Sequence, residues 1–134
     1  FTDLQAAFGI EQMKKLPSIL AKKKRIYNWY QKYLKDDTIC FPKTEAGAIP
    51  VFADVLFENE TMRNLIAKEL GNVGIGTRAV YTPLNKSPLY TNINNAYTPV
   101  AIDIGNRGLQ LPAQPNLDEE DIIQIANHIL QWVT

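Results

Sequence analysis

The residues best suited to chemistry lie together between Gly76 and Tyr90, in the run GTRAVYTPLNKSPLY. Arg78, Tyr81, Asn85 and Lys86 bring a guanidinium, a phenol, an amide and an ammonium into one short stretch. Arginine offers a rigid planar fork to phosphates and carboxylates, and lysine a movable point charge. The flanking prolines pre-set the backbone and reduce the freedom lost on binding. This set suits an anionic, hydroxyl-rich ligand; it is not by itself the make-up of a catalyst. Arg107, in Asn106-Arg107-Gly108, is a second candidate cation. Either arginine could instead pair with a surface acid, a common and nearly neutral arrangement.

The other reactive residue types carry less. His128 is the only histidine and falls off the apolar stripe of the last helix, on the solvent side, with no serine or cysteine partner at a useful spacing. Cys40 precedes Pro42 and reads as a half-buried structural thiol rather than a nucleophile. Lys22-Lys23-Lys24-Arg25 reads as a solvated helix face, or one meeting an acidic neighbour, rather than a nucleic-acid contact. Asp118 to Asp121 open a helix, where the dipole favours acids, so capping explains them without a metal. Gly71, Gly74 and Gly76 do not form a phosphate loop, since no GK[ST] follows them.

The elements that must position these groups follow from pattern. Thr2 and Gln5 fit a capping box, and a helix is expected to about Lys15 with Leu4, Ala7 and Phe8 inward. Pro17 suits a first helical position, so a second helix is expected from there to about Lys35. Its apolar set includes Ile19, Leu20, Ile26, Tyr27, Tyr30, Tyr33 and Leu34. Residues 36–50 read as loop. Val51 to Phe57 alternates as a strand, with Val51, Ala53, Val55 and Phe57 on one face. Asn59 caps a helix that Gly71 should stop. Gly74 to Tyr81 reads as a second strand, Thr82 to Thr98 as irregular, Pro99 to Gly105 as a short helix, and Gly108 to Leu111 as a third strand. Asp118 caps a last helix with the stripe Ile122, Ile125, Ala126, Ile129, Leu130 and Val133. Long connections disfavour hairpins, and the order predicts an α+β fold, a small antiparallel-type sheet with helices packed on one face.

Composition bounds the function. The 134 residues fit one domain, 1–134, and 46% hydrophobic residues suffice for a core. Lys+Arg and Asp+Glu both number 14, so no global field draws the chain to nucleic acid or an anionic membrane. One cysteine excludes an internal disulfide and any multi-cysteine metal site. No apolar run reaches the roughly 20 residues that span a bilayer. With no signal-peptide pattern, the expected location is cytoplasmic. The chain opens at a helix cap, Phe1-Thr2-Asp3, which suggests a piece of something longer.

Four segments in order, TDLQAAFGIEQMKKL, AKKKRIYNWYQKYL, GIGTRAVYTPLNKSPLY and GLQLPAQPNLDEEDI, resemble the C-terminal domain of the pyridoxal-phosphate-dependent sugar aminotransferases, the DegT/StrS family of fold-type I. The resemblance covers Phe1 to Thr134. It implies amination of a ketone on a nucleotide-linked sugar, with glutamate as the usual amino donor, by a homodimer with active sites at the subunit interface. It also implies that pyridoxal 5'-phosphate and its lysine belong to an N-terminal domain outside this chain, so that this chain alone would be inactive. On the family pattern, Arg78, Tyr81, Asn85 and Lys86 border the sugar-nucleotide site and Arg107 leads into the last strand. No catalytic, cofactor-binding or metal residue is expected here. Many members carry histidine near Val80 or Asn85; this chain does not, which bears on the substrate rather than the family. An exposed apolar patch is expected where the large domain would sit, with Leu4, Phe8 and Trp29 as candidates. The alternative is a free-standing, non-catalytic module that binds sugar nucleotides.

Overall fold

A computed structural model of the chain describes residues 1–45, 47–90 and 97–133. Four α-helices surround a three-stranded antiparallel sheet: α1 (Asp3–Tyr33), β1 (Ala53–Leu56), α2 (Glu60–Asn72), β2 (Arg78–Ala79), α3 (Pro99–Arg107), β3 (Gly108–Leu111) and α4 (Glu119–Val133). The strand order is β1-β3-β2, with β3 in the centre and every one of its residues buried. The α+β architecture is the one expected.

The first two expected helices are one. Thr2 and Gln5 do form the capping box, but α1 then runs through Pro17 to Tyr33. Proline removes one intrahelical hydrogen bond, freeing the carbonyl four residues back. Here Pro17 and Met13 are both exposed, so water can take that carbonyl, and strong helix formers flank the break. Leu4 and Phe8 do not face inward. They are 70% and 67% exposed, because no element of the described chain packs beside the first turns of α1. The second half of the same helix is the reverse: Ile26, Tyr27 and Tyr30 are buried against the core.

The stop signal of α2 is also displaced. Gly74, not Gly71, adopts the left-handed conformation at φ 80°. Its N–H donates to the Gly71 carbonyl and that of Ile75 to the Leu70 carbonyl, which completes a Schellman motif. Asn59 caps the start by accepting from the Met62 N–H at 2.9 Å. β2 is shorter than expected, although the Val80 N–H still reaches the Gly108 carbonyl at 3.0 Å. The irregular stretch contains one 3-10 turn, Leu84–Lys86; residues 91–96 lie outside the described residues.

One face of the sheet is core. Ala53 pairs with Leu111 and Val55 with Leu109, and all four are buried with Phe57 in one core cluster with Ile122, Ile125, Ala126 and Ile129 of α4. The expected stripe of α4 is met, with Leu130 and Val133 half-buried at its margin. Tyr30 carries its polar end into this core and donates its hydroxyl to the Pro112 carbonyl at 2.9 Å. Burial pushes its phenol well above the ordinary range, with the Asp121 charge adding to the effect.

Candidate functional site

Because strand side chains alternate, the residues between the core positions share the opposite face. Asp54 of β1, Gln110 of β3 and Arg78 of β2 are direct register neighbours, and form a row across the sheet. Gln110 is buried and joins the other two. Its Nε2 donates to Asp54 Oδ1 at 3.0 Å, while its Oε1 accepts from Arg78 Nε at 3.0 Å. Arg78 Nη2 also donates to the Tyr81 hydroxyl. Two rings flank the guanidinium, Tyr81 at 4.8 Å and Phe52 at 5.3 Å from its central carbon, both within cation–π range. Arg78 is itself exposed and has no carboxylate partner among the described residues.

This row borders a cleft of about 410 Å³. Lys23, Phe52, Thr77, Arg78, Gln110 and Gln114 contribute to its wall, and no aspartate or glutamate does. Lys23 comes from the basic run of α1. It is not solvated like its neighbours: its ammonium donates to the Val51 carbonyl at 2.7 Å and the Ala113 carbonyl at 3.2 Å. The signal for it was present in the spacing. Lys23 stands three, four and seven residues before the buried Ile26, Tyr27 and Tyr30, on the same helix face. Arg25 lies over the Trp29 ring at 5.3 Å, and Trp29 is half-buried, so the expected apolar patch of Leu4, Phe8 and Trp29 is exposed only in its first two members.

The five expected ligand residues are not one cluster. Arg78 and Tyr81 meet directly. Asn85 turns toward α3 and donates to the Thr98 hydroxyl at 2.7 Å. Lys86 is exposed and lines a separate hollow of about 380 Å³ with Arg63, Pro83, Gly105 and Asn106. Arg107 is taken up in the fold. Its Nε donates to both Asp103 oxygens at 2.9 Å and its Nη1 to the Phe57 carbonyl at 3.1 Å, which locks α3 to the end of β1. The loop that carries Tyr81 lies tight on α3 because glycines allow it. A Cβ on Gly108 would come within 2.6 Å of the Val80 side chain, and one on Gly105 within 2.9 Å of the Pro83 ring.

The remaining candidates have structural explanations. Cys40 is exposed rather than half-buried, and its backbone pairs with Leu56 to extend the sheet edge. Asp118 accepts from the Asp121 N–H at 3.0 Å and Asp121 returns the contact, as capping requires. His128 is half-buried on α4. Among the described residues no group of His, Cys, Asp or Glu could hold a metal, and no helix is long and apolar enough to cross a membrane.

The model of the DegT/DnrJ/EryC1/StrS aminotransferase family matches residues 1–130, and the chain belongs to that family. It is 27% identical over 136 residues to the GDP-perosamine synthase of Escherichia coli O157:H7, covering 98% of this chain and 36% of that protein. It is 30% identical over 135 residues to the dTDP-4-dehydro-2,3,6-trideoxy-D-glucose 4-aminotransferase of Saccharopolyspora spinosa, covering 98% of this chain and 34% of that one. Among solved structures, Helicobacter pylori PseC, an aminotransferase involved in the biosynthesis of pseudoaminic acid, superposes with TM-score 0.80 at 25% identity, over 96% of this chain and 36% of that chain. Spr1654 of Streptococcus pneumoniae in its PLP form gives TM-score 0.85 at 23% identity, over 100% and 37% of the two chains. The chain thus spans about a third of the length of the relatives it matches.

The residues described here do not fit the cofactor that such relatives carry. A lysine that forms a Schiff base needs a depressed pKa in a sheltered site. Every lysine of this chain except Lys23 is exposed, and the Lys23 ammonium is taken up by the Val51 and Ala113 carbonyls.

Proposed function

We propose that this chain is the C-terminal domain, folded as one unit over 1–134, of a pyridoxal-phosphate-dependent aminotransferase that acts on a keto sugar linked to a nucleotide. The carrying observation is the family match over residues 1–130 in a chain about a third as long as its relatives. The cofactor and its lysine belong to an N-terminal domain, and this chain alone is inactive. Its part is to cover the active site and shape sugar selection from the open face of the sheet, with Arg78 and Tyr81 at the border and Lys86 and Asn85 along the same loop. The exposed first turns of α1, with Leu4 and Phe8, are the surface offered to the large domain. The whole enzyme is a cytoplasmic homodimer that takes glutamate as amino donor.

The test is the complete reading frame that carries this chain. The expected result is an upstream domain with a lysine in a cofactor-binding context, and a purified product that absorbs as bound pyridoxal phosphate. That product should transfer the amino group of glutamate to a GDP- or dTDP-linked keto sugar. A frame that begins near Phe1 would remove the reading and leave the free-standing module.

A further inference from the structure

The open face of the sheet carries two cations and no counter-charge at the cleft. Arg78 and Lys23 both line it, neither has a carboxylate partner among the described residues, and no acid contributes to the wall. The usual fate of surface arginine is a loose ion pair or free rotation in water. Arg78 has neither. Gln110 holds its Nε, the Tyr81 hydroxyl holds Nη2, and the Phe52 and Tyr81 rings restrict the guanidinium plane. Nη1 makes no hydrogen bond among the described residues, so a fixed donor edge is left for a ligand.

The amide of Gln110 could be turned either way were it not for Asp54. A carboxylate accepts only, so Asp54 Oδ1 requires the Nε2 side of Gln110, which leaves Oε1 for Arg78 Nε. The acid also stands two strands away from the cleft cation, with Gln110 of β3 between the two charges. Asp54 therefore orients Arg78 without neutralising it by contact.

We propose that this cleft binds an oxyanion, a carboxylate or a phosphate, through Arg78 with Lys23 in the same lining, and that Asp54 and Gln110 are positioning residues that set the direction of the guanidinium. The proposal rests on the aminotransferase reading for the source of the anion, which is either the carboxylate of the amino donor or the diphosphate of the sugar nucleotide. The shared chemistry is a hydrogen-bond-accepting oxyanion in a cleft whose wall includes the Phe52 ring.

The experiment uses the full-length protein that carries this chain, in wild-type, Arg78→Met, Arg78→Lys, Gln110→Glu and Asp54→Asn forms, each checked for folding by circular dichroism. Inorganic pyrophosphate and glutarate serve as probes in calorimetric titration, and KM for glutamate and for the sugar nucleotide are measured separately. Arg78→Met should weaken one probe about 10- to 100-fold and raise the matching KM with little change in kcat. Arg78→Lys should recover part of the charge attraction but not the planar fit. Asp54→Asn should weaken the same probe about 3- to 10-fold, because an amide no longer fixes which way Gln110 turns. A pyrophosphate effect assigns the diphosphate, and a glutarate effect the amino donor. Unchanged affinity for both probes in Arg78→Met overturns the proposal even where the enzyme transfers amino groups normally. Arg78-dependent probe binding in a protein inactive on every nucleotide sugar would keep the oxyanion site and remove the aminotransferase reading instead.

Discussion

The two faces of the sheet are built from alternate residues, β1 and β3 supplying the inner one and all three strands the outer, yet they differ in what fixes them. On the inner face, Ala53, Val55, Leu109 and Leu111 are buried in the core cluster and are held by apolar area and shape. On the outer face, Asp54, Gln110 and Arg78 occupy the intervening positions and are held by directional hydrogen bonds. One residue of register separates the two sets, so a slip would exchange core for site. The inner face tolerates conservative apolar swaps because burial has no direction. The outer face does not, because each amide or guanidinium has a fixed set of donors and acceptors.

Substitutions at adjacent positions sharpen this contrast. Leu109→Ala, on the inner face, should cost about 2–5 kcal/mol in urea unfolding, since Leu109 is 1% exposed and leaves a cavity. Its effect on oxyanion affinity should be negligible in any molecules that stay folded. Gln110→Ala, one residue on, should cost only about 1–2 kcal/mol through its lost hydrogen bonds, and should cut pyrophosphate or glutarate affinity sharply. If the two variants had equal effects on stability and on binding, the division between the faces would break down.

Tyr30 links the two regions, since its hydroxyl donates to Pro112, a residue of the cleft wall. Tyr30→Phe should cost about 1 kcal/mol at neutral pH. Burial raises the phenol's folded-state pKa above its ordinary 10.0. Its contribution is therefore complete below pH 10, and is lost as pH rises from there toward the folded value, because only the unfolded chain then ionises. The alkaline slope of stability should be shallower in Tyr30→Phe; an unchanged slope would show that this phenol is not the group responsible.

The smallest effect is expected far from both faces. Glu119 accepts from Tyr33 at 2.6 Å and from Lys32 at 3.0 Å, which together hold its carboxyl below the ordinary range. Its contribution is present above pH 4.5 and fades as pH falls through the folded value. The pair is exposed, so Glu119→Gln should lower stability only slightly, with the difference from wild type present above pH 4.5 and fading in acid, and leave both probes' affinities untouched.

Local rules were legible wherever a residue's neighbours in sequence are its partners in space. The caps at Thr2, Asn59 and Asp118, the stripe of α4 and the buried Ala53, Val55 and Phe57 are of this kind, whereas Val51, expected on the same face, is exposed and lies before β1. The exceptions are instructive. Pro17 did not end α1 because its surroundings let water take the freed carbonyl. Gly74 rather than Gly71 closed α2 because the left-handed turn falls where Ile75 can return to the core. The loop of Arg78 and Tyr81 showed residue types suited to anions, and Arg107 looked equally suitable; the structure ties Arg107 to Asp103 and Phe57.

Sequence alone determined the fold class, the helix caps and the family, because each rests on short-range pattern and on the order of segments. Only the tertiary structure decided which cations stand together. Arg78 and Lys23 are far apart in the chain, as are Asp54 and Gln110. They meet because an antiparallel register and the packing of α1 bring them to one cleft. Side-chain chemistry is written residue by residue, whereas the company each residue keeps is set by the burial of the opposite face.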